Sequence, residues 1–212
     1  MEEPVVLTDI VPATPDEEAI ARSLMIALKD YFEISHIYTA IPKDHTEDTP
    51  LRVVRSMTEM FRGCWSDPEK HLEVTFNDSD YDEIVYMNDI GFVSNCAHHN
   101  LPFFGKVHFG YLPAKKIVGL SKIPRMIRDF ALRPQVQEKL TTDIANCFMN
   151  AVSPQGCGVV IEAFHLCVMI RGIEQKPSYT KTSALRGSFK ENESTKQEFL
   201  HGIKKTTEHI WP

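Results

Sequence analysis

The sequence predicts an α+β fold, and three features carry that reading. Alternating or β-branched apolar segments fall at 72–76, 84–93, 107–112, 117–120, 158–163 and 180–185. Apolar residues at helical spacing fall at 14–31, 48–61, after 121, and at 135–152. A hydrophobic share of 42% with 25% charged residues is that of a globular domain able to bury a core.

Residues 1–13 carry Pro4, Pro12 and several acids and are expected to form a flexible tail. A helical region is expected over 14–66 and the main domain over 67–212. Thr14 can cap a helix whose first position is Pro15, and Glu17 completes a capping box. Ile20, Leu24, Leu28 and Tyr31 then form one apolar stripe, which its own domain or a neighbouring subunit must cover. Asp48-Thr49-Pro50 opens a second helix with Val53, Met57, Met60 and Phe61 on its apolar face. Ser121 begins the first of two consecutive helices, and the second carries Val136, Leu140, Ile144, Cys147 and Phe148 on one side. The runs 158–163 and 165–170 read as two β segments or one bent strand, in which His165 and Cys167 share a face. A last helix is expected over 194–205, with Phe199, Leu200 and Ile203 as apolar positions.

A net charge of -6 and a pI near 5.8 argue against nonspecific nucleic-acid binding. No run approaches the roughly 20 apolar residues needed to span a bilayer, so no membrane role is expected. The acidic start Met1-Glu2-Glu3-Pro4 lacks the basic and apolar regions of a secretory leader. Five cysteines, an odd number, then favour reduced thiols and a cytoplasmic setting.

The chemistry concentrates in Ser94-Asn95-Cys96-Ala97-His98-His99. Cys96 and His99 have the spacing that lets one turn offer sulfur and nitrogen to a single cation. With Cys167 they make a Cys/His/Cys set, and three protein ligands on zinc leave a fourth position open, as in catalytic sites. The plainer alternative is a buried cysteine beside ordinary histidines. His108 lies in a strand pattern and reads as a packing histidine, and Cys147 reads as core. Glu138 reads as an acid complementing a helix dipole. Ser121, Lys122 and Arg125 make either a capped helix with solvated cations or an anion cradle. Arg52 and Arg55 read as solvated charges.

Several phrases occur together and in order: Ser94 to His99, Gly119-Leu120-Ser121-Lys122-Ile123, Gln135-Val136-Gln137-Glu138-Lys139-Leu140, His165-Leu166-Cys167 and Arg171-Gly172. In this the chain resembles GTP cyclohydrolase I from about residue 48 to about 200. The resemblance implies a tunnelling fold (T-fold), an antiparallel sheet with helices on one face whose strands join between subunits into a toroidal barrel. It implies a homo-oligomer, usually a decamer of two pentamers, with GTP as substrate and Zn2+ as cofactor. Cys96, His99 and Cys167 match the metal ligands, and His98 and His165 the catalytic histidines. Glu138 matches the residue that recognises guanine, and Gln137 a polar neighbour in the same pocket. Ser121, Lys122, Arg125 and Arg171 match triphosphate-binding positions, and Arg52 matches an arginine of the phosphate end. The reaction implied converts GTP and water to 7,8-dihydroneopterin triphosphate and formate. Two positions depart from the family pattern. Ala97 stands where an acid is usual and Asn88 where an arginine is usual, which suggests a complementary pair lost as a unit. A divergent paralogue acting on a modified purine nucleotide, or a non-catalytic purine- or pterin-binding oligomer, remain the alternatives.

Overall fold

The structure, a computed structural model, describes residues 14–77, 80–176 and 178–203. The expected tail 1–13 and the last two residues of the helix expected over 194–205 lie outside the described residues. The chain divides into two compact units, Met1–Trp65 and Ser66–Pro212.

The first unit holds α1 (Pro15–Ile34), α2 (Lys43–Thr46), α3 (Thr49–Met60) and a 3-10 turn at Arg62–Trp65. The start of α1 follows from its sequence. Thr14 Oγ1 accepts from the Glu17 amide at 3.3 Å, and the Thr14 amide donates to Glu17 Oε2 at 2.7 Å. The Glu17 carboxylate accepts from the Thr14 amide and, at 3.0 Å, from the Thr14 hydroxyl, which lowers its pKa. The helix packs on α3 through Ala21, Met25 and Leu28, against Leu51 and Val54. The stripe read from the sequence is therefore displaced. Ile20, Leu24 and Tyr31 are exposed, because the small Ala21 is what admits the close approach of α3.

In the second unit the chain runs from a 3-10 turn at Pro68–Leu72 through β1 (Thr75–Asn77), β2 (Val85–Cys96), β3 (Pro102–Leu112) and β4 (Lys116–Val118). Next come α4 (Lys122–Ala131), β5 (Pro134–Gln135), α5 (Gln137–Val152) and β6 (Gly156–His165). The described residues end with α6 (Leu166–Met169), β7 (Thr180–Gly187), α7 (Ser188–Glu191) and α8 (Glu193–Gly202). Five strands form one sheet in the order β5-β2-β3-β6-β7, antiparallel except where β5 meets the end of β2. The strand expected at 72–76 starts only at Thr75. Asp67 caps the 3-10 turn by accepting from the Glu69 amide at 3.1 Å, and Leu72 is buried at its end.

Strand alternation sorts the two faces. Phe103, Val107, Phe109 and Tyr111 of β3, with Val159, Ile161 and Ala163 of β6, face the main core. Ile123, Met126, Ile127 and Phe130 of α4 and Leu140, Ile144 and Phe148 of α5 cover that face. Cys147 packs at its margin, as its helical position predicts.

Helices do not keep to one face, which corrects the expectation. Phe199 of α8 and Phe189 of α7 pack with Val160 and Ile84 on the opposite side. Gly110 and Gly158 are register partners there, and a methyl group on either would run into the Phe199 ring, at 2.9 Å from Cδ2 in the case of Gly110. Two glycines side by side thus make the slot that seats α8. Farther along, this face turns polar. Lys181 Nζ meets Glu162 Oε1 at 2.8 Å, and Lys106 Nζ meets Asp89 Oδ1 at 3.1 Å. His108 is fully buried beside them, accepting from the Asp89 amide at Nδ1 across 3.4 Å, and burial pushes its pKa down. It packs rather than ligates, as the strand pattern suggests.

Asn88 lies near the start of β2 and Ala97 just past its end, at most roughly 30 Å apart at about 3.3 Å per residue. They make no pair within one chain. Asn88 Nδ2 instead donates to the Gly202 carbonyl at 3.0 Å, tying α8 to the sheet.

Replacing Gly158 by alanine is expected to lower stability by about 1–3 kcal/mol, the range for overpacking a filled core. Adding Phe199→Leu should recover part of that loss. Denaturant unfolding at fixed protein concentration checks both, and strictly additive effects would contradict the slot.

Candidate metal and substrate site

One end of the sheet gathers the sulfur and imidazole groups. Cys96 is the last residue of β2, and a tight turn joins it to β3. The Cys96 amide donates to the Leu101 carbonyl at 2.9 Å, and the amides of His99 and Asn100 donate to the Cys96 carbonyl at 3.3 and 2.8 Å. Asn100 takes the left-handed conformation, φ 52°, that closes the turn. On the other side the Ala97 amide donates to the Gln135 carbonyl at 2.9 Å. The turn is thus held from both flanks, with Cys96 buried and His98 and His99 projecting beside it.

His165 arrives at the same end because β6 pairs with β3 in a register that sets it opposite Phe103. The 165–170 segment expected as strand does not continue as one. Beyond Phe103 the next residue of β3 is Pro102, which has no amide proton, and the Leu101 carbonyl is already used by Cys96. With no ladder partner the chain curls into α6, and Cys167 sits on that helical turn. The shared face of an extended His165 and Cys167 is therefore replaced by a helical arrangement that still brings the Cys167 sulfur inward.

The potential ligand atoms of Cys96, His99 and Cys167 all lie within 4.8 Å of one another. Cys96 Sγ is 3.8 Å from His99 Nδ1 and 3.7 Å from His98 Nδ1. Zinc bond lengths of about 2.3 Å to sulfur and 2.0–2.1 Å to nitrogen put tetrahedral sulfur–nitrogen pairs about 3.6 Å apart. Two sulfurs and one imidazole at this spacing fit zinc, and the set leaves a position free for water or substrate. Burial pushes the Cys167 thiol up, and its contact with the Cys96 sulfur adds to this, while Arg171 acts in the opposite sense.

Around the cluster stand the other sequence candidates. The His165 ring stacks on Phe103 at 4.6 Å and 3°, and its Nε2 lies 2.7 Å from Gln137 Oε1. Burial lowers the pKa of His165, and the nearby Glu138 carboxylate partly opposes this. Glu138 is exposed on the first turn of α5, and Arg171 is exposed on the turn after α6, where Gly172 takes φ 65°. Gln137 is placed differently from the expectation of a substrate contact. It is only 2% exposed, and its amide nitrogen is held at 3.1 Å from each of Ile161 O, Thr180 O and Thr182 Oγ1.

Ser121, Lys122 and Arg125 stand at the start of α4, and among the described residues no hydrogen bond or ion pair joins them to the cluster. Arg52 lies on α3 in the first unit, exposed, 3.4 Å from Asp48. Sequence reasoning missed Phe103 as the platform of His165. Its signal was its place in an alternating strand, which gives core but not a stacking partner. Thr180, Thr182 and Thr141 were missed as well, since hydroxyls that orient an amide leave no spacing signature.

A family model described as GTP cyclohydrolase I matches residues 32–204. The chain belongs to the GTP cyclohydrolase I family. The GTP cyclohydrolase 1 of Wolinella succinogenes is 46% identical over 157 residues, 74% of this chain and 84% of that one. That of Porphyromonas gingivalis is 48% identical over 155 residues, covering 73% and 80%. That of Campylobacter lari is 50% identical over 152 residues, covering 72% and 80%. The chain is accordingly an enzyme of the GTP cyclohydrolase I class, with the thiol–imidazole cluster at the end of its sheet. Among the described residues no helix is long and apolar enough to cross a membrane.

The thiols divide by burial. Cys147 is pushed up to about 11 and Cys157 to about 12, in both cases mainly by burial, while Cys64 is exposed. At pH 8 fewer than roughly one in a hundred of either buried thiol is ionised, so both should resist alkylation. Iodoacetamide is expected to label Cys64 in the folded, metal-loaded protein, to reach Cys96 and Cys167 after chelation, and to reach Cys147 and Cys157 only on unfolding. Peptide mass mapping after timed labelling checks this order, and labelling of Cys96 at equal rates with and without metal would contradict the ligand assignment.

Proposed function

We propose that the protein is a zinc-dependent GTP cyclohydrolase I that converts GTP and water to 7,8-dihydroneopterin triphosphate and formate, the opening step of pterin and folate-type biosynthesis. The observation that carries this reading is the cluster of Cys96, His99 and Cys167, with His98 and His165 tethered beside it in a chain of this family. Zinc held by those three residues supplies Lewis acidity, which makes water a nucleophile near neutral pH.

The chain's own residues supply the rest. His98 and His165 move protons, and imidazoles suit that work because they change charge near neutral pH. Burial lowers the pKa of His165 and so favours its neutral form, and the Phe103 ring stacks against it. Glu138 at the head of α5 accepts from the ring N–H and exocyclic amine of guanine, a donor pair that adenine lacks. At the start of α4, Ser121, Lys122 and Arg125 offer hydroxyl and cationic donors to a triphosphate, and Arg171 and Arg52 add two guanidinium groups.

Ser121, Lys122 and Arg125 make no hydrogen bond or ion pair with the cluster among the described residues, which fits a site completed by a neighbouring subunit. The outer edges of β7 and of most of β2 have no strand partner among the described residues, so the sheet can continue into neighbouring copies. This supports the tunnelling fold and a homo-oligomer, a decamer of two pentamers, working in the cytoplasm without nucleic acid or membrane.

The deciding experiment incubates zinc-loaded protein with GTP and follows formate together with the fluorescence of the oxidised pterin. Equal amounts of both products are expected. Alanine at His98 or at His165 should lower kcat by about 10²–10⁴-fold, the usual worth of a positioned acid or base. GTP left intact by a metal-loaded oligomer would sink the reading and direct the search to modified purine nucleotides, where the exposed Ala97 marks a departure from the family.

A further inference from the structure

We propose that Gln137 is a positioning residue that dictates which ring nitrogen of His165 carries the proton, placing it on Nε2 and leaving Nδ1 with the lone pair. The inference rests on the cyclohydrolase reading for its consequence, but its geometry stands on its own.

The bond between His165 Nε2 and Gln137 Oε1, 2.7 Å long, needs a proton on the histidine side if the amide oxygen faces the ring. The orientation of the amide is not free. Its nitrogen faces the carbonyl oxygens of Ile161 and Thr180 and the hydroxyl of Thr182, each at 3.1 Å. Carbonyl oxygens only accept. Flipping the amide would set Oε1 against two of them in a site where Gln137 is 2% exposed and water cannot compensate.

The hydroxyls point the same way. Thr141 Oγ1 donates to the Gln137 backbone carbonyl at 2.7 Å, so it must accept from Thr182 Oγ1, also at 2.7 Å. Thr182 has then spent its proton and can only accept from Gln137 Nε2. The direction runs from the side-chain amide of Gln137 through two threonines back to the Gln137 backbone. Residues on β6, β7 and α5 therefore fix the amide, and the amide fixes the imidazole. Phe103 fixes the remaining freedom by stacking parallel to the ring.

For the reaction this assigns a direction to His165. Nδ1 carries the lone pair, while the Nε2 proton stays directed at Gln137 Oε1. A histidine with the proton on Nδ1 would present no base from that nitrogen.

The test uses zinc-loaded full-length protein labelled with [15N]histidine, studied by magic-angle-spinning NMR. The His165 signals are identified by their loss in His165→Gln. In the wild type, Nε2 is expected to appear as the protonated nitrogen and Nδ1 as the unprotonated one. Gln137→Met keeps the side-chain length without the oxygen. It should give a mixed or reversed tautomer, with kcat on GTP lowered on the order of 10²-fold and KM and zinc content little changed. If Gln137→Met fails to assemble, Thr182→Val replaces it and should also mix the tautomers, and the wild-type spectrum still decides. A wild-type His165 protonated at Nδ1 overturns the proposal, as does a Gln137→Met protein with unaltered tautomer and kcat. Absence of GTP turnover in the wild type would defeat the cyclohydrolase reading alone, because the spectrum reports the tautomer without catalysis.

Discussion

The antiparallel register of β3 on β6 is the constraint on which everything else depends. Ten residue pairs run from Phe103 opposite His165 to Leu112 opposite Gly156. A slip by one residue would turn Val159, Ile161 and Ala163 out of the core and send the Glu162 carboxylate into it. It would also move His165 away from Phe103 and from the end of β2 where Cys96 sits. Core burial and site assembly thus hang on one pairing. Because the apolar face is large and the opposite face carries charges, no alternative register can satisfy both.

The polar face makes that register costly to leave. Glu162 is almost fully buried, and its ion pair with Lys181 crosses directly between register partners on β6 and β7. A buried carboxylate deprived of its cation is strongly destabilising. The pair therefore adds little net stability over an apolar one but penalises mispairing heavily. Lys106 and Asp89 do the same between β3 and β2, across an irregular step in which Asp89 takes φ 60°. Charges on one face thereby specify the alignment that the other face needs for its chemistry.

Much of this was legible in the sequence. The capping box of α1 and the strand core at 107–112 follow from local rules, because each is decided by residues within one turn or one alternation. The proximity of Cys96 and His99 was legible too, since they share a turn, whereas Cys167 joins them through the pairing of distant strands. The conformation at Cys167 was not. An apolar run such as 166–170 fits strand and helix alike, and what decides it is the missing ladder partner at Pro102, a residue over sixty positions away. Likewise the periodicity of α1 could not say that Ala21, rather than Ile20 and Leu24, meets α3. That choice is made by how closely two helices approach, a property of the pair.

Gln137 shows the same limit at the site itself. From sequence it is a polar residue next to Glu138 at a helix start, and a substrate contact is the natural reading. Adjacent positions on a helix point about 100° apart, however, so one of the two must turn inward when the other faces the cleft. The fold leaves Glu138 exposed and buries Gln137 under β6 and β7. A buried amide needs partners for both its ends. Backbone carbonyls and threonines meet the nitrogen, and the oxygen is left for an imidazole. The need of the buried Gln137 amide for partners at both ends is thus what orders the histidine, and it links the packing of the sheet to the chemistry at its end.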